Sequence, residues 1–148
     1  MDHVEYVYTV GMDAAEAERR LREAEAGVLA LADDGVAYAV PLSPYYEDGV
    51  VYLRMSDDDD DPRKLRFVDA TVEATFLVYG VEGPDDSWSV LCAGPLRHVT
   101  DPAAVGFDTA TINERFGALR IFDEAVQDVE LRLYALDVER LTGRRTAE

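Results

Sequence analysis

The sequence predicts a mainly β, α+β fold: an antiparallel, Greek-key-like barrel with short helices packed outside it. Three observations carry this. About seven short runs either alternate in polarity or are apolar throughout. Turns too short for a helical crossover, two of them Asp-Gly, join consecutive runs. The helix-like stretches are few and short. With 148 residues, no internal repeat and no linker, residues 1–148 read as a single domain.

Composition bounds the function. Hydrophobic residues make up 48% of the chain, which marks a globular protein and not a disordered acidic tail. There are 31 acidic residues against 14 basic ones, a formal charge of −17, and Lys64 is the only lysine. Such a surface repels DNA, RNA and anionic membranes, so no nucleic-acid or membrane partner is expected. It suits a cytoplasm at molar salt, where the screening length falls to about 3 Å. No apolar run approaches bilayer length, and the N-terminus lacks the basic flank and apolar core of an export signal. The expected location is cytoplasmic. Cys92 is alone and lies between Val90-Leu91 and Ala93, so it reads as a buried, inert thiol. His3 and His98 have no ligand-like spacing to a Cys or Glu cluster, and no metal site is expected.

In chain order, Val4, Tyr6, Tyr8 and Val10 alternate as a first strand over residues 3–10. Asp13, with Glu16 three residues on, caps a helix that runs to about Ala26 and ends at Gly27. Its apolar stripe is Ala14, Ala17, Leu21 and Ala24. Val28–Ala32 is nearly all apolar, as in a strand buried on both faces. Asp33-Asp34-Gly35 turns the chain into Val36–Ser43, where Pro41 requires an edge or a bulge. Glu47-Asp48-Gly49 turns it again into Val50–Ser56, so that Gly27 to Arg66 reads as a three-stranded meander with a basic pair beyond it. Val51, Leu53 and Met55 fall on one side of that last strand, and Val50, Tyr52 and Arg54 on the other.

Asp57–Asp61 is a solvated acidic loop. Pro62 then opens a short helix to about Ala70, with Leu65, Phe67 and Val68 on its buried side. Val72–Val81 is a strand with Val72, Ala74, Phe76 and Val78 inward, and Ser87–Val99 a long strand bulged at Gly94-Pro95. Helical pieces follow from Asp101 to Phe107 and from Asn113 to Ala125, then a strand from Val129 to Val138 and a polar tail.

The order Tyr38-Ala39-Val40-Pro41-Leu42-Ser43, Tyr52-Leu53-Arg54-Met55-Ser56 and Arg63-Lys64, followed by Trp88-Ser89-Val90 and Leu136-Asp137-Val138-Glu139, resembles the pyridoxamine 5′-phosphate oxidase-like flavin-binding family. The resemblance runs from about residue 12 to residue 143 and is closest to the small branch that includes nitroimidazole-resistance-type proteins. With the acidic bias, it points to a halophilic archaeal member. It implies a split β-barrel homodimer with FMN at the interface. By the same resemblance Pro41, Leu42 and Ser43 line the isoalloxazine ring, and Arg54, Met55 and Ser56 follow the ribityl chain towards the phosphate. Arg63 and Lys64 meet the phosphate, Ser89 bonds the flavin, and Trp88 packs nearby.

One departure stands out. The family's short Gly- or Ser-containing link before the lysine is replaced by five aspartates. Each carboxylate held beside the phosphate costs on the order of 1 kcal/mol at low screening. Bland roles also fit several residues: Arg54 as a rim arginine, Arg63 and Lys64 as counter-charges to the aspartates, Pro41 as an edge proline, Ser89 as a solvent-facing residue, Trp88 as core or interface. Two functions therefore stay open. One is an FMN-dependent oxidoreductase of a small molecule, with no side chain evident as acid or base. The other is a non-catalytic split-barrel dimer that binds, stores or senses flavin, or has lost its cofactor. Pyridoxamine phosphate oxidation itself is not expected, because the C-terminus offers only Arg144 and Arg145 in a terminal tail.

Overall fold

A computed structural model describes residues 9–57, 62–101 and 130–146. Among them ten strands and two helices run in the order β1 (Thr9–Gly11), α1 (Ala14–Glu23), β2 (Gly27–Asp33), β3 (Val36–Leu42), β4 (Pro44–Glu47), β5 (Val50–Asp57), α2 (Pro62–Ala70), β6 (Ala74–Gly83), β7 (Asp86–Gly94), β8 (Leu96–Val99), β9 (Glu130–Asp137) and β10 (Arg140–Thr146). A six-stranded antiparallel sheet has the order β1-β10-β7-β6-β2-β3, and a four-stranded one the order β4-β5-β9-β8. The two sheets face one another across a single main core without closing, which is the expected split barrel.

Alternation builds that core. Leu29 and Leu31 of β2, Val51, Leu53 and Met55 of β5, Phe76 and Val78 of β6, and Val90 and Cys92 of β7 all point into it. Helix α1 adds Ala17 and Leu21, and α2 adds Phe67 and Val68. The Asp13 carboxylate accepts from the Glu16 N–H at 2.8 Å and starts α1 as the sequence predicts. Helix α2 is fixed to the large sheet by the stack of Tyr38 on Phe67, with ring centroids 5.1 Å apart. The Thr71 hydroxyl also accepts from the Ala32 N–H at 3.0 Å. Both Asp-Gly hairpins form, with φ of +49° and +79° at Asp34-Gly35 and +49° and +81° at Asp48-Gly49.

Several expectations are corrected. The meander breaks at Ser43: β3 is the edge of the large sheet, whereas Pro44 already begins β4 at the edge of the small one. The predicted Ser87–Val99 strand is likewise two strands, β7 and β8, in different sheets with Pro95 between them. Helix α1 stops at Glu23, because Ala24 is extended and Gly27 already belongs to β2, and Ala14 is exposed. Strand β2 is buried on one face only, with Ala30 and Ala32 exposed on the other. Val72 lies before β6 starts and is 90% exposed. The polar tail is strand β10, paired with β7 and β1. The predicted helices over 101–107 and 113–125, residues 3–8 of the first strand, and Asp58 to Asp61 lie outside the described residues.

Candidate functional site

Period-two alternation sorts the candidate residues onto two sides of the barrel wall. Leu42 and Met55 point inward, 7% and 0% exposed, so Met55 offers any outside ligand only its backbone. Trp88 also turns inward against the core. Their neighbours Pro41, Arg54 and Ser89 point the other way.

One set of candidates lies on β5 and on the segments that flank it in the chain. Pro44 of β4 pairs with Leu53 of β5, so Ser43 and Arg54 are the chain neighbours of one ladder pair. The Ser43 hydroxyl donates to the Glu25 carbonyl at 2.9 Å, which ties the Ser43 corner to the segment ahead of β2. Arg54 is half-buried on the outer face of the small sheet, opposite Leu133 of β9, and Ser56 pairs with Leu131. Helix α2 follows β5, with Arg63 exposed and Lys64 half-buried in its first turn. Free N–H groups at such a helix start favour an anion.

The outer face of the large sheet forms the second group. Consecutive registers align Pro41, Val28, Leu77, Leu91 and Thr142 in one row across β3, β2, β6, β7 and β10. The next row is Ala39, Ala30, Thr75, Ala93 and Arg140. Tyr79 and Ser89 pair beside them, with Arg144 opposite Ser89. Tyr79 is 60% and Leu91 44% exposed. No outward position in these rows carries a carboxylate, although the chain holds 31. Pro41 and Leu91 stand three strand spacings apart, about 14 Å. The Ser89 and Ser43 groups are therefore not brought together within one chain.

Sequence reasoning missed what lies over Trp88. The Arg20 guanidinium sits 4.6 Å from the indole centroid, and Arg145, paired across the ladder from Trp88, reaches Glu16 at 3.2 Å. Arg20 follows Ala17 by three residues and precedes Ala24 by four, so its place beside the buried stripe was readable from helical spacing. Trp88 Nε1 and Arg20 Nε are both buried without a hydrogen-bond partner. Burial pushes the Cys92 thiol up to about 12, which makes it inert. Among the described residues no group of His, Cys, Asp and Glu could hold a metal ion.

The pyridoxamine 5′-phosphate oxidase family model matches residues 13–145. The chain belongs to that family. No curated protein sequence matches it closely. Solved structures show the same fold. A FAD-binding protein from Mesorhizobium loti is 18% identical, with a TM-score of 0.76 over 94% of this chain and 99% of that one. A FAD-binding protein from Mycobacterium smegmatis is also 18% identical, with a TM-score of 0.65 over 92% and 98%. A candidate 5-nitroimidazole antibiotic resistance protein from Bacteroides thetaiotaomicron is 19% identical, with a TM-score of 0.68 over 100% and 99%. The family match takes in both groups described above, from the Ser43 corner to Ser89 and Arg144. No helix of the described residues is long and apolar enough to cross a membrane.

Proposed function

We propose that this family member binds FMN between two copies of itself and works as an oxidoreductase on a small molecule in a salt-rich cytoplasm of a halophilic archaeon. The observation that carries the reading is the outer face of the large sheet, apolar at its centre, without a carboxylate in the rows described although the chain is strongly acidic, and bearing both Pro41 and Ser89. A second copy would cover the centre of that face without setting carboxylate against carboxylate there, and the proposed pairing would bring the Ser89 group of one chain to the Ser43 corner of the other. The donor set fits a flavin mononucleotide. Arg54, Arg63 and Lys64 supply cations for a phosphate, Ser43 and Ser89 supply hydroxyls, and the Leu77–Leu91 row supplies an apolar wall.

FMN, when bound, supplies the two-electron redox chemistry. The chain's own groups bind and orient. Lys64 and Arg63 hold the phosphate through charge-assisted hydrogen bonds, helped by the first-turn N–H groups of α2. Pro41 carries no N–H, and as part of an edge strand its neighbours keep backbone groups free of the ladder for a ring's polar edge. The apolar row keeps water from the ring. None of Pro41, Ser43, Arg54 or Ser89 is placed here as an acid or base.

The test is the visible spectrum of the protein purified in molar salt, before and after addition of FMN and desalting. A flavin spectrum retained at about one per chain is expected. A colourless protein that refuses FMN would instead support a split barrel that has lost its cofactor, the reading the Asp57–Asp61 run favours.

A further inference from the structure

We infer that ionic strength gates the pairing of the two copies, so that this protein assembles in high salt and separates in low salt. The inference rests on the proposed pairing through the outer face of the large sheet. It comes from how charge is distributed around that face.

The centre of the face is apolar, but both of its ends are acidic. The β2–β3 turn carries exposed Asp34 at one end. The β6–β7 turn carries exposed Glu82, Asp85 and Asp86. Because β2 runs antiparallel to β6, these two turns stand at opposite ends of the sheet. Two copies laid face to face with strands roughly aligned superpose either like ends or opposite ends. With like ends superposed, the β6–β7 turns, central in the strand order, lie against one another; with opposite ends superposed, the β2–β3 turn and the partner's β6–β7 turn share an end and stand two strand spacings apart, about 10 Å. Each copy also brings a net −17. The apolar centre favours association and the rim opposes it.

Salt acts on these two parts in opposite senses. The screening length falls from about 10 Å at 0.1 M to about 3 Å at 1 M, which removes repulsion between carboxylates on facing turns. Apolar burial is not weakened by that screening. The rim therefore sets the salt at which the pair forms, and the face sets whether it forms at all.

The experiment is sedimentation velocity of the full chain between 0.1 and 2 M KCl, with far-ultraviolet circular dichroism at each salt. A dimer in 2 M KCl whose dissociation constant rises at least tenfold by 0.1 M, with the fold retained, is expected. The variant Asp34→Asn/Asp85→Asn/Asp86→Asn is expected to stay paired to lower salt than the parent; Asn accepts the positive φ at position 34. A dissociation constant that changes less than twofold across this range overturns the gate and leaves the paired reading intact. So does a variant whose salt curve superimposes on the parent's, or loss of the fold before dissociation. A monomer at every salt overturns the paired reading itself, and the gate with it.

Discussion

Replacing Gly94 by alanine tests how the two sheets are joined. Gly94 ends β7 just before Pro95 carries the chain into the small sheet. A Cβ there would overlap the Asp137 carbonyl oxygen and stand 2.9 Å from its carbon and 3.2 Å from the Glu139 nitrogen. All three are backbone atoms, so no side chain can swing away. Relief requires β7 and the β9–β10 link to part. That strains the Glu139 N–H bond to the Ala93 carbonyl, 2.9 Å, and the Asp137 N–H bond to the Pro95 carbonyl, 3.1 Å. Overpacking costs about 1–3 kcal/mol. Two weakened hydrogen bonds add about 0.5–1.5 kcal/mol each. The expected loss is therefore about 2–6 kcal/mol. With a urea slope near 2 kcal/mol/M, a loss of about 4 kcal/mol lowers the midpoint by about 2 M. The control is Gly83→Ala, where a Cβ would meet its nearest atom, Asp86 Cβ, at an ordinary 3.9 Å. A Gly94→Ala midpoint that matches the Gly83→Ala midpoint would refute the reasoning.

Three further outcomes follow from the same geometry. Lys64→Ala is expected to weaken FMN by about 1 kcal/mol or more, roughly fivefold, in a fluorescence titration at molar salt; an unchanged affinity would put the phosphate elsewhere. Cys92 titrates near 9.0 when unfolded and at about 12 when folded. Its contribution to stability is therefore complete below pH 9 and lost as pH rises towards 12, by about 4 kcal/mol in all. Cys92→Ala should flatten urea stability between pH 9 and 10, whereas the loss above pH 10 persists in part because burial and Glu18 raise Tyr46 as well. Arg20→Ala should alter the near-ultraviolet signal of the single tryptophan and cost about 0.5–2 kcal/mol, from the lost cation–π stack on a partly desolvated ring; an unchanged spectrum would mean that Arg20 does not hold the indole.

The parts legible in the sequence are the local ones. Asp34-Gly35 and Asp48-Gly49 announce their turns because Asp tolerates the left-handed region and Gly prefers it. Pro62 starts α2 where it should, and Phe67 and Val68 are buried as expected. What failed depends on partners distant in sequence. A proline inside an apolar run looks like a bulge, yet Pro95 marks a change of sheet, and so does Ser43. Strand β10 has no apolar alternation to betray it. Its arginines look like a tail until their partners are known: Arg140 pairs with Glu73, Arg145 with Glu16, and Arg144 with the Thr9 hydroxyl and carbonyl. The candidate site was legible as residue types. Its division into an Arg54 corner and a Ser89 face was not, because strand order is a tertiary fact.

The alternation that builds the core also separates stability from binding. Leu42 points in and Pro41 out, Met55 in and Arg54 out, Val90 in and Ser89 out. Each pair shares one stretch of backbone, so the ladder that fixes a core residue fixes its outward neighbour equally well. Substituting the outward member removes little buried apolar surface, while substituting the inward one leaves a cavity costing about 2–5 kcal/mol for a leucine or methionine. Outward positions are thus free to change without opening the core, and inward ones are held by packing. The same division explains how solved structures only 18–19% identical keep the fold over almost the whole chain. Apolar residues of similar volume suffice inside, whereas the outer wall can change without loss of packing.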